Sequence, residues 1–163
     1  MTKDVVPEHF TLGLALVDFI PVILFGLSFI FLAVKLKSIL FGIGAGICLF
    51  AGLSKVIWKI IVVLTRKNVW FLFIQLRFLM PLGFLIMILA LILCSSQINL
   101  SAVWLTITSF PQIIFLSIGI FGMICMMIFG FVLDSSNVIF NWIEQIVNCI
   151  AQLAFFVLIL ISL

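Results

Sequence analysis

Apolar residues along this chain come in five long runs separated by short polar breaks. The runs cover residues 10–34, 38–64, 69–94, 110–133 and 138–163. Each is longer than the roughly 20 residues that a helix needs to cross a hydrocarbon core. The breaks are Lys35-Leu36-Lys37, Thr65 to Asn68, Ser95 to Ser101 and Asp134 to Asn137. Membrane barrel strands would alternate apolar and polar residues over about ten positions, and these runs do not. The pattern therefore predicts an all-α polytopic membrane protein, with five transmembrane helices in an up-and-down bundle. Short connections imply antiparallel neighbours.

The stretch from Ala102 to Ser109 admits two readings. Ser109 can cap the fourth helix, with Pro111 in its first turn, where a missing N–H matters least. Trp104 and Thr106 would then lie along the interface. The competing reading is one long helix kinked at Pro111.

Composition leaves lipid as the solvent. Hydrophobic residues make up 67 % of the chain and charged residues 8 %, with a mean hydropathy of +1.58. Soluble domains carry about 25 % charged residues. The length of 163 residues suits a single transmembrane domain with no appended soluble module. The first run meets Lys35 and Lys37 without a small-residue cleavage motif, so it is expected to be a retained helix rather than a signal peptide. A net charge of +3, spread over helix ends, is no nucleic-acid footprint. The four cysteines sit in apolar surroundings with no C-x-x-C pair, and the single histidine, His9, follows Glu8 near the start of the first run. No metal or other cofactor is expected.

Basic residues near helix ends set the orientation. Lys3, Lys55, Lys59, Arg66, Lys67 and Arg77 fall towards one face, against Lys35 and Lys37 on the other. This predicts a cytoplasmic N-terminus and an outside C-terminus. Trp58, Trp70 and Trp142 would mark the inner interface and Trp104 the outer one. Nineteen Phe against no Tyr, in a short isoleucine-rich chain, points to a bacterial inner membrane.

Against this apolar background, ionisable residues inside the helices are the functional candidates. Asp18 and Arg77 come out about 12 Å from the inner end of their helices, and Glu144 about 9 Å. On the last helix, Asn141, Glu144, Gln145, Asn148 and Gln152 fall within an arc of about 100°, a continuous polar stripe. Lys55, Lys59 and Arg66 form a basic stripe on the second helix, and its two lysines are long enough to snorkel to the headgroups. Pro21 and Pro81 each follow an intramembrane charge closely and free a backbone carbonyl there. The ligand-binding set expected from these features is Asp18, Lys55, Arg77, Glu144, Asn148 and Gln152.

Two readings of that set compete. One is an inward-facing polar pocket for a polar or anionic small molecule or a lipid headgroup, in a small transporter or solute- or lipid-binding module. The other is pure packing, with Asp18 or Glu144 paired to Arg77 or Lys55 to fix helix register while the amides bridge neighbouring helices; the alternative function is a non-catalytic accessory subunit of a membrane complex whose polar stripe docks against partner helices. Interhelical polar contacts contribute only about 0.6 kcal/mol on average, and a five-residue stripe exceeds what packing alone requires. Gly42 and Gly46 form G-x-x-x-G, and Gly44, Cys48 and Gly52 repeat the spacing, which suits close helix approach within or between subunits. Membrane lipids and either a second copy or a partner membrane subunit are the expected contacts. No H-E-x-x-H, G-x-S-x-G or glycine-rich phosphate loop is present. Asp18 and Glu144 acting as an acid–base pair on a lipid headgroup is the remaining enzymatic reading, and nothing in the spacing selects it.

Overall fold

The computed structural model describes residues 11–133 and 138–162, and all regular structure among them is helical. The expectations for Lys3, Glu8, His9 and the 134–137 break lie outside the described residues. Five helical spans are long and apolar enough to cross a membrane, so the chain is a polytopic helical membrane protein.

The first span is broken into α1 (Leu12–Val17) and α2 (Phe19–Lys35). Thr11 opens it, its hydroxyl accepting from the Leu14 N–H at 3.2 Å. Pro21 has no N–H to donate to the Val17 carbonyl, and the helix is interrupted at Asp18 just beside it. The second span is α3 (Ile39–Thr65), capped by Ser38 and ended by Arg66 in the left-handed region, at φ 55°. The third is again broken, into α4 (Trp70–Ile74) and α5 (Leu76–Leu93), with Gln75 between them. A separate short helix, α6 (Leu100–Thr108), precedes α7 (Gln112–Val132), and the fifth span is α8 (Val138–Ser162).

Residues 102–109 are therefore not part of a long kinked helix. Nor does Ser109 cap α7 through its side chain. Pro111 takes the capping position, and the Ser109 hydroxyl donates to the Thr106 carbonyl at 2.7 Å or the Gln112 amide oxygen at 3.1 Å.

The spans pack side by side in the order third, second, first, fifth, fourth. α3 lies against α5 on one side and α2 on the other, and α2 lies against α8, which in turn carries α7. Consecutive spans are antiparallel neighbours except the third and fourth, which do not touch among the described residues. Small residues allow close approach at three of the four joints. A Cβ on Gly44 would sit 2.7 Å from the Gly83 carbonyl oxygen, and one on Gly122 would sit 2.6 Å from the Ala151 Cβ. Gly52 meets Val22 across the joint between the first two spans.

Of the two glycine patterns on the second helix, the working one is thus Gly44, Cys48 and Gly52. Gly46 faces open space, and Gly42 touches only Ala33, so G-x-x-x-G is not a packing face within this chain. The main apolar core joins Phe25, Phe41, Ala45, Cys48, Met87 and Ala90 from the first three spans. The antiparallel order gives the molecule two ends. One holds Asp18, Lys59 and Glu144; the other holds Lys35, α6 and Ser162.

Candidate functional site

The closest charged contact among the described residues is an ion pair between the Lys59 ammonium and the Asp18 carboxylate. Both side chains are almost fully buried, 4 % and 6 % exposed. Each partner is placed by a local feature. Asp18 stands at the break that Pro21 imposes on the first span. Lys59 lies seven residues, two turns, beyond Gly52 on the same face of α3. Gly52 packs on Val22, and Asp18 lies one turn before Val22 along the antiparallel neighbour. The close glycine contact therefore sets the register that brings ammonium to carboxylate.

Two further charges surround the pair. Lys55, one turn from Lys59, and Glu144 on α8 both lie within electrostatic reach of Lys59, and both are half-buried. Lys55 is also the strongest charged neighbour of Glu144. α3 and α8 flank the first span without touching, so Lys55 and Glu144 come from helices on either side of the one that carries Asp18. The result is a neutral quartet of alternating sign, two members deep and two partly open. The Cys149 thiol lies 4.0 Å from the Val17 carbonyl, the group that Pro21 leaves without a helical donor.

The polar stripe of α8 is divided. Asn141 and Gln145 are buried, and the Gln145 amide oxygen has no hydrogen-bond partner among the described residues. Asn148 is half-buried, beside the quartet on the same stripe. Gln152 is buried but turns elsewhere, its amide nitrogen approaching the Met123 sulfur of α7 at 3.6 Å.

Arg77 does not join the others. It is exposed on α5, with its guanidinium 5.7 Å from the centre of the Phe73 ring. α5 touches neither α1 nor α8, because α3 lies between. Equal depth in the membrane does not imply proximity, and depth was all that linked Arg77 to Asp18. Lys59 is the converse. Expected to snorkel outward, it is drawn inward by the carboxylate it faces. The face shared by Gly52, Lys55 and Lys59 was the signal that could have found it.

No protein-family model matches the chain, and neither does any curated protein or solved structure.

Proposed function

We propose that the chain is a small membrane transporter or solute-binding module. Its site is the quartet of Asp18, Lys55, Lys59 and Glu144 on the cytoplasmic side of a bacterial inner membrane. An anionic solute group binds there by taking the place of the Asp18 carboxylate on Lys59. The observation that carries this reading is the buried pair at a broken span, flanked by half-open charges of both signs.

A buried ion pair is a poor device for stability, since apolar residues of equal volume do as well or better. It is a good device for exchange. A ligand carboxylate or phosphate offers Lys59 the same chemistry as Asp18, and a displaced Asp18 has Lys55 within reach of the same cluster. Discontinuous spans with freed carbonyls are where membrane transporters place such sites, and Pro21 supplies one beside Asp18.

The test uses acetate as a stand-in for the aspartate side chain. Asp18→Asn leaves Lys59 without its anion and lowers the thermal stability of the detergent-solubilised protein. Added acetate is expected to restore part of that loss, with a larger rise in Tm than in the wild type. Asp18→Asn combined with Lys59→Gln should show no such rise. Equal acetate response in all three proteins would overturn the exchange.

One observation favours the second reading, an accessory subunit. Arg77 is an exposed charge on an edge span, about 10 Å along its helix from Trp70. A neighbouring protein that supplies a carboxylate there would hold on to it, and Arg77→Ala would then break co-purification while leaving the acetate response intact.

A further inference from the structure

At the Lys35 end, the spans part around a crevice of about 430 Å³ between the end of α2, the end of α8 and the short helix α6. Its walls are mostly apolar, with Leu32, Ile98, Ile107 and Leu158 among them, and its polar groups come from Lys35, Asn99, Thr106 and Ser162. Lys35 is exposed and donates one hydrogen bond to the Ser162 carbonyl at 2.5 Å. An ammonium has three donors, so among the described residues this bond leaves two for another acceptor. The Ser162 hydroxyl is buried and has no partner among the described residues. Both described carboxylate side chains, Asp18 and Glu144, lie in the opposite half of the spans, so among the described residues no side-chain anion neutralises this rim. The helix α6 forms one wall and exposes Val103, Trp104 and Leu105, the composition of a helix that lies in the headgroup layer.

A largely apolar slot beside a cation that no described carboxylate faces, next to a short helix with an exposed tryptophan, has the polarity of one molecule in particular. We propose that this crevice is a binding site for an anionic glycerophospholipid, with an acyl chain between α2, α6 and α8 and the phosphate on Lys35. The occupant is a lipid rather than free phosphate because most of the wall below the lysine is aliphatic, Leu32, Leu36, Ile98, Val103, Ile107 and Leu158, which an acyl chain covers and a free anion does not.

The experiment is native mass spectrometry of the full chain in detergent, titrated with dioleoyl phosphatidylglycerol or dioleoyl phosphatidylcholine. One phosphatidylglycerol should be retained at about fivefold lower concentration than phosphatidylcholine, the advantage of one lysine near an anionic headgroup. Lys35→Ala should abolish that preference, Lys35→Arg should keep it, and Ala102→Phe, which fills the crevice, should lower retention of both lipids. Lys37→Ala, outside the crevice, should leave the preference unchanged. Equal retention of the two lipids, or a preference that survives Lys35→Ala, would overturn the proposal. So would displacement of the lipid by glycerol phosphate at equal concentration, which would show a site for the phosphate alone. Asp18→Asn should bind phosphatidylglycerol as the wild type does, since Asp18 and Lys35 are about 25 Å apart along the first span. The lipid site can thus fail while the exchange at Asp18 stands, and the reverse.

Discussion

The first span carries a charge at each end, and the two have opposite surroundings. Asp18 is buried against Lys59 where three spans converge, within reach of two more charges. Lys35 is exposed, held by one backbone carbonyl beside an apolar crevice. Convergence makes the difference. At the Asp18 end, Gly52 packs against Val22, which brings α3 onto the first span and Lys59 onto the Asp18 carboxylate. At the other end α6 stands beside the helix ends, and the lysine stays exposed. The same residue type is therefore a fixed counter-ion in one place and an open cation in the other.

The sharpest way to break this contrast is to remove one partner of the buried pair. Asp18→Asn or Lys59→Met alone should destabilise the protein by about 3 kcal/mol, because the remaining partner is stranded in a low-dielectric interior. The double variant should recover most of the loss in a double-mutant cycle measured by chemical unfolding in detergent. Failure to recover would mean that the two groups are not each other's main partner.

Next in size is the close joint between the second and third spans. Gly44→Val drives a side chain into the Gly83 backbone and should cost about 1–3 kcal/mol. Gly46→Val, on the open face of the same helix, should change stability by no more than about 0.5 kcal/mol. If the two behaved alike, the assignment of the packing face would be wrong.

At the exposed end the effects should be smallest. Lys35→Ala is expected to shift stability by about 0.5 kcal/mol or less in lipid-free detergent, since a solvated lysine loses little. Added phosphatidylglycerol should then stabilise the wild type more than the variant. A large loss without lipid would show that Lys35 is a structural tie between the first and fifth spans.

Much of this architecture could be read along the chain, and some of it could not. The spans, the break near Pro21 and the polar stripe of α8 follow from local pattern. So does the shared depth of Asp18 and Glu144, since rise per residue converts sequence distance directly into depth. Arg77 shows the limit of that argument: it matches Asp18 in depth and lies on the far side of α3. The choice of lysine is similar. Lys55, Lys59 and Arg66 share an arc of about 40°, so their spacing does not say which of them meets Asp18.

What the sequence alone determined is therefore axial: which segments span, the break beside Pro21, and how far along its helix each charge lies, whereas the break at Gln75 carried no such signal, Pro81 lying inside α5. These depend on backbone geometry and on transfer between water and lipid, which act on each segment separately. Lateral matters were decided only by the tertiary structure: the side-by-side order of the spans, the pairing of Asp18 with Lys59, the exclusion of Arg77, and the choice of Gly44 and Gly52 over Gly42 and Gly46. Lipid is as apolar as the helix faces themselves, so no hydrophobic preference selects one face over another. Close packing summed over whole helices makes that selection.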